Sequence, residues 1–395
     1  MLGVTKLLCG TVTESDVMRY GRSSKDLPSN MLSFSRDKRP VVVWNMTRTC
    51  NLNCIHCYSE SKYQKYEGEL STEQGKKMID DLAEYKVPTI LFSGGEPLMH
   101  PDLFPLADYA ISKGLRAVIS TNGTLIDEDN VKRIKDIGLS YVGISIDGTE
   151  DINDHFRVKK GAFREAMNGI QTCLKHGIKV GLRFTLTKHN YPVLGEVLNL
   201  LEEEGIPRCC VYHLVYAGRG TKMMEQDVTR EQARDAVDQI FDKALYFKEK
   251  GITKEILTVD NHCDSVHLYR RIRETQPERA DEVLKMLQWN GGASSGIGVA
   301  DIDNLGNVHA DQFWKHHSFG NVKDRKFGDI WTDTSDPVMA GLKDRKALLN
   351  GRCGTCSYLD ICNGNFRVRA EAVTGDIWGS DPACYLTDAE ISERV

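Results

Sequence analysis

Apolar residues in this chain concentrate in short runs, the first of them unbroken, separated by longer stretches where they recur every three or four positions. The runs lie at 41–44, 89–92, 117–120, 141–146, 180–186 and 210–215. An unbroken apolar run such as Val41-Val42-Val43-Trp44 suits a strand buried on both faces. The stretches between have helical period. Ser71-Thr72-Glu73-Gln74 reads as a capping box opening a helix to about Tyr85, and a second helix runs from Pro101 to near Gly114. Strand and helix thus alternate in the rhythm of a parallel sheet. The predicted fold is α/β, a partial (βα)6 TIM-like barrel followed by a smaller C-terminal domain.

Beyond the sixth run the period turns helical, over about 230–250 and again near 278–288. A glycine-rich segment from Gly291 to Gly298 follows, then a hairpin pattern from Ile302 to His309. This divides the chain into an N-terminal extension at 1–39, a barrel at 40–225, a helical connection at 226–295 and a C-terminal domain at 296–395.

Composition narrows the class without naming it. Hydrophobic content of 41% is ordinary for a folded chain of 395 residues, and a net charge of −5 argues against nucleic-acid or polybasic membrane partners. The apolar stretch near Met1 is too short to span a membrane and lacks a cleavage pattern. Twelve cysteines without an export signal point to metal binding in a reducing, low-oxygen cytoplasm.

The chemistry sits at strand ends, where βα barrels collect ligand-binding residues. After the first strand stand Cys50, Cys54 and Cys57, three thiolates on one loop without a fourth nearby. A structural zinc site takes four protein ligands. Three cysteines on a [4Fe–4S] cluster leave one iron open to a small chelating molecule. The second strand ends in Gly94-Gly95-Glu96-Pro97, glycines that admit close backbone approach and acceptors for an ammonium group. Strand three ends in Ser120-Thr121-Asn122-Gly123 and strand four in Ser145-Ile146-Asp147-Gly148, with Arg157 soon after.

On these motifs the chain resembles the radical SAM superfamily. The resemblance implies that Cys50, Cys54 and Cys57 hold the cluster and that Gly94, Gly95, Glu96, Pro97, Thr121, Asn122, Ser145 and Arg157 contact S-adenosylmethionine, Arg157 through its carboxylate. A turn at Asn122-Gly123 and a solvated Arg157 are the plainer alternatives. A radical derived from the cofactor does the chemistry in this superfamily, so no side chain is assigned as catalytic.

A second set, Cys353, Cys356, Cys362 and the distant Cys384, supplies four thiolates, enough to close a metal site of iron–sulfur or zinc type. The region resembles the SPASM and twitch-type auxiliary-cluster domains of radical SAM enzymes. Phe366 and Asp311 stand where that pattern places further cysteines. The resemblance therefore implies one auxiliary [4Fe–4S] cluster, two clusters in all. Cys9, Cys173, Cys209, Cys210 and Cys263 show no ligand spacing and read as small buried apolar residues, although His262, Asp264 and His267 flank Cys263.

A narrower resemblance covers nearly the whole chain: enzymes that trim side chains from tetrapyrroles between sirohaem and haem or d1-type haem. It rests on 40–48, 309–321, 351–353 and 381–386, and on the opening Leu7–Thr11 with Arg19-Tyr20-Gly21-Arg22. The opening most resembles members that remove two acetates from 12,18-didecarboxysirohaem, giving iron-coproporphyrin III. Relatives of the d1 branch remove propionates from the same substrate. The implied partners are an iron tetrapyrrole and a reductant such as ferredoxin or flavodoxin. Arg48, Arg183, Arg219, Arg367 and Arg369 are candidates for its carboxylates, and His213, His309, His316 and His317 for its iron. A wide pocket between barrel and C-terminal domain is expected, with the glycine-rich segment at its edge. The rivals are a peptide-modifying maturase, disfavoured by the short segment before the first strand, and a non-catalytic iron–sulfur carrier.

Overall fold

A computed structural model of the chain describes residues 1–13, 16 and 38–393. The motif Arg19-Tyr20-Gly21-Arg22 lies outside them. Ten strands form one sheet: β1 (Leu2–Gly3), β2 (Val41–Thr47), β3 (Thr89–Gly94), β4 (Arg116–Thr121), β5 (Val142–Ser145), β6 (Val180–Leu186), β7 (Arg208–His213), β8 (Glu255–Val259), β9 (Val299–Ile302) and β10 (Val308–His309). Their order is β1-β8-β7-β6-β5-β4-β3-β2-β9-β10. Strands β2 to β8 pair in parallel with their chain neighbours. Sequential order with helical crossovers makes the sheet an open barrel.

Each helix between strands buries an apolar stripe on the sheet. The helix Thr72–Glu84 begins with the predicted capping box, Ser71 and Gln74 satisfying each other's backbone, and buries Met78, Ile79 and Leu82. The longest, Arg230–Glu249, opens on a second capping box at Thr229 and Gln232 and buries Ile240 and Phe241.

The six predicted strands occur as β2 to β7, and three features extend them. The segment expected to be a helical connection contains β8, a seventh parallel strand. Its run Ile256-Leu257-Thr258-Val259 is brief and lies between two helical patterns, so its strand character comes from pairing with β7 and β1. Strand β9 joins β2 in parallel at the other edge, and the predicted hairpin appears as β9 and β10.

The C-terminal segment packs over the strand ends by a buried ion pair. Arg369 binds Asp381 through Nε and Nη2, both at 2.8 Å, and donates to the Leu214 and Asp260 carbonyls at 2.9 Å. One side chain thereby joins the ends of β7 and β8 to the turn preceding Cys384. Arg367 is also fully buried, its guanidinium used by the carbonyls of Gly364, Ile377 and Gly379. Neither arginine lines the barrel mouth, because each is consumed in fastening the C-terminal segment.

Candidate active site

The loop leaving β2 carries the first three cysteines and is pinned from several sides. Cys50 N–H donates to the Lys62 carbonyl at 3.1 Å and Ile55 N–H to Phe156 at 3.0 Å. Arg219 Nε donates to the Cys54 carbonyl at 2.7 Å, and its Nη1 to Ser61 at 3.0 Å. The cysteine loop thus occupies Arg219, which was a candidate for substrate carboxylates.

All three thiols face one cavity of about 1120 Å³, open mouth included. Burial pushes the Cys50 thiol up to about 12 and raises Cys54 too. At Cys57 burial is outweighed by hydrogen bonds from Ser59 and Ser61, and the thiol lies below its ordinary value. Buried thiols of this kind lose their protons to a metal centre that compensates the charge. Three sulfurs on one wall are the donor set of an iron–sulfur cluster, so the residues fit one. Among the described residues no three His, Cys, Asp or Glu side chains are placed to share a single metal ion. Each cysteine set lines a void instead.

Gly94 and Gly95 also line the cavity, but their glycine character has a nearer cause. A Cβ on Gly94 would fall 2.3 Å from the Thr47 carbonyl oxygen, and one on Gly95 2.3 Å from that of Thr49. The end of β3 packs directly on the chain leading into the cysteines.

Glu96 departs from expectation. It is 0% exposed, and its carboxylate accepts from Thr121 Oγ1 at 2.7 Å, Asn122 N–H at 2.8 Å and Leu98 N–H at 3.1 Å. Burial pushes it up to about 7 against these donors. It clamps β3 to the end of β4, and neither Glu96 nor Pro97 is among the residues that line the cavity. Thr121 and Asn122 do line the cavity, and Asn122 Nδ2 donates to Asn51 Oδ1 at 2.8 Å beside Cys50. Ser145 lines it as well.

Arg157 is inside rather than solvated. It lines the cavity, pairs with buried Asp147 Oδ2 at 2.5 Å and reaches Cys54 Sγ at 3.5 Å. Asp147 also accepts from Thr185 N–H at 3.1 Å and lies 3.4 Å from His56. Arg157 thus lines the cavity while already paired with a protein carboxylate.

The opposite wall comes from β6, β7, β8 and the C-terminal segment. Arg183 lies 4.7 Å from the Tyr212 ring centroid and has no hydrogen-bond or carboxylate partner among the described residues. Asp260 follows β8 with φ +66°, a left-handed conformation unusual for a non-glycine residue. Burial pushes its carboxyl up to about 6. Leu214, Val215 and Phe313 make the wall apolar between these polar points. His213 faces the same space, whereas His309, His316 and His317 pair elsewhere with Asp303, Glu371 and Asp336. Arg48 donates to the Ser59 carbonyl and stacks on Tyr66, away from this wall. The glycine-rich segment is not at the mouth: a Cβ on Gly292 would meet the Cys362 carbonyl at 2.4 Å, and Ala293 N–H donates to it at 3.1 Å.

Cys353, Cys356, Cys362 and Cys384 surround a second, smaller void. Burial raises the first three. Cys384 is lowered to about 7, chiefly by a hydrogen bond from Cys263. That contact could not be read from spacing, since it joins positions far apart in the chain. Phe366 packs with Ala310, Trp314 and Val368 in an apolar cluster, and buried Asp311 accepts from Phe313 N–H at 2.8 Å. Of the wall residues, Asp260, Tyr212, Gln312 and Phe313 had no sequence signal. Asp147 stood in a visible strand-end motif.

The barrel and its strand-end cavity define a radical SAM protein: the superfamily model for "Radical SAM superfamily" matches residues 44–203, and the chain belongs to that superfamily and is an enzyme of it. It is 58% identical to Fe-coproporphyrin III synthase of Methanosarcina barkeri over 99% of both chains. It is 43% identical to pre-heme d1 synthase of Dinoroseobacter shibae, over 89% of this chain and 87% of that one. Its fold matches Streptococcus suis SuiB bound to S-adenosylmethionine with a TM-score of 0.70, at 17% identity, over 88% of this chain and 77% of that chain.

Proposed function

We propose that this enzyme removes two acetate side chains from 12,18-didecarboxysirohaem to give iron-coproporphyrin III. The observation that carries this reading is likeness along the whole chain to Fe-coproporphyrin III synthase, at 58% identity over 99% of both chains. The cavity supports it: an apolar wall of Leu214, Val215 and Phe313 suits a flat macrocycle, and Arg183, without a carboxylate partner among the described residues, suits a peripheral carboxylate. Cys50, Cys54 and Cys57 hold the SAM-binding [4Fe–4S] cluster, and Gly94, Gly95, Thr121, Asn122 and Ser145 border the cofactor. When bound, the cluster and S-adenosylmethionine supply a 5′-deoxyadenosyl radical able to take hydrogen from unactivated carbon.

The protein's part is positioning and exclusion of water. Arg157 and Asp147 hold one wall beside Cys54, and Glu96 fixes β3 against β4. Residues 40–225 with β8 form the cofactor barrel, and 296–395 form the SPASM/twitch-like domain. There Cys353, Cys356, Cys362 and Cys384 close one auxiliary [4Fe–4S] cluster, whose role is electron relay. The apolar packing of Phe366 and Trp314 supports a single auxiliary cluster. A ferredoxin or flavodoxin of a low-oxygen cytoplasm is the reductant. No helix among the described residues is long and apolar enough to cross a membrane.

The deciding experiment incubates anaerobically reconstituted enzyme with 12,18-didecarboxysirohaem, S-adenosylmethionine and dithionite, followed by mass spectrometry. Loss of two acetates is expected. Loss of propionates would favour the second reading, which the 43% identity to pre-heme d1 synthase supports. No change in the tetrapyrrole would refute both.

A further inference from the structure

Four histidines were open to a role at the substrate iron, and only His213 lies on the cavity wall. It stands at the end of β7, 4% exposed, with Nε2 3.0 Å from Asp264 Oδ2. Asp264 is 0% exposed and accepts from Tyr385 Oη at 2.9 Å through its other oxygen. Tyr385 is itself held, its ring edge-on to His267 at 5.8 Å with Arg234 at 5.5 Å. No partner for His213 Nδ1 exists among the described residues.

These contacts select one tautomer of the neutral ring, the form that binds a metal. An ionised carboxylate accepts but cannot donate, so Nε2 carries the proton and Nδ1 keeps its lone pair. Burial raises Asp264, but His213 and the neighbouring hydroxyls outweigh it and hold the carboxyl below its ordinary range. A buried carboxylate behind one imidazole nitrogen is the arrangement that orients a histidine toward a metal and strengthens it as a donor. Fixing that network in the protein interior has no evident use for packing, since a smaller apolar residue would fill the wall without needing a buried charge.

We infer that His213 is the axial ligand of the substrate's iron, with Asp264 and Tyr385 as positioning residues; this rests on the tetrapyrrole reading above. The step forms one Fe–Nδ1 bond and displaces a weakly held axial ligand such as water. His213 keeps its Nε2 proton throughout, and no electron is transferred. Coordination from the β7 wall sets the height of the macrocycle, and Arg183 on the adjacent strand sets its rotation.

The test titrates iron didecarboxysirohaem, and separately its metal-free macrocycle, into the anaerobic holoenzyme, read by absorbance difference and electron paramagnetic resonance. Wild type should bind both and show a nitrogen-ligated iron spectrum with the first. His213→Ala should lose that spectrum and about tenfold or more in affinity for the iron form, while binding of the metal-free form changes little. Added imidazole should restore the spectrum, which a merely structural role would not allow. Asp264→Asn should keep the ligand but shift its spectrum. An unaltered spectrum in His213→Ala, or equal loss for both macrocycles, would overturn the axial role. If wild type binds neither macrocycle, the substrate reading itself fails and this inference with it.

Discussion

Glu96 and Arg183 show how burial assigns opposite work to two charged residues of one cavity. Glu96 is sealed under three donors, and burial pushes its carboxyl up to about 7 from its ordinary 4.5. Between those values the folded chain keeps a proton that the unfolded chain has lost. Its stabilising effect is therefore full below about 4.5 and is lost as pH rises through about 7. Glu96→Gln mimics the protonated form, so the stability gap between variant and wild type should shift in the variant's favour from pH 5 to pH 8. Anaerobic urea denaturation at the two pH values measures this; a gap independent of pH would show that Glu96 stays ionised. Arg183 has the reverse situation, facing the cavity with no carboxylate partner among the described residues. A hydrogen bond to a charged group contributes about 1.5–3 kcal/mol. Arg183→Ala should therefore raise KM for the tetrapyrrole by roughly tenfold or more, with a smaller change in kcat, in steady-state assays.

At the scale of elements, the buried Arg369–Asp381 pair is one of the links that seat the C-terminal segment, beside Tyr385–Asp264 and Asn365–Asn261. Asp381 holds Arg369 and also accepts from Phe366 and Ala383 N–H groups at 2.9 Å, which sets the chain just before Cys384. Removing one partner of such a pair strands a buried charge at a cost of about 3–5 kcal/mol. Asp381→Asn should lower the denaturation midpoint accordingly and reduce retention of the C-terminal cluster on desalting, seen as lost iron. Gly94 works at a shorter range. With Thr47 O only 2.3 Å from a Cβ, Gly94→Ala must move the cysteine loop. It should cut 5′-deoxyadenosine formation by an order of magnitude or more, measured by chromatography, even where total iron is retained.

Across the whole molecule, the two cysteine sets lie on separate voids with the substrate cavity reaching only the first. The proposed two clusters amount to about eight irons per chain. Replacing Cys50, Cys54 and Cys57 with alanine should leave about half of that iron while abolishing 5′-deoxyadenosine formation. Iron and sulfide analysis near twelve per chain, or zinc in the second site, would contradict the single auxiliary iron–sulfur cluster.

Some of this was written in the local sequence. Apolar-rich runs placed six strands because a strand buried on both faces is mostly apolar, whatever its neighbours. The short intervals from Cys50 to Cys57 and from Cys353 to Cys362 bring thiols together through chain connectivity alone. Other features were set by packing between distant positions. β8 is a strand because β7 and β1 flank it. Arg367 and Arg369 are struts because carbonyls and Asp381 reach them, whereas among the described residues none reaches Arg183. His213 meets Asp264 because β8 pairs with β7, and Cys263 meets Cys384 only once the C-terminal segment lies on the barrel. Composition and periodicity record a residue's own chemistry and its near neighbours; which cation or imidazole is left unpaired at the cavity depends on partners brought by the fold.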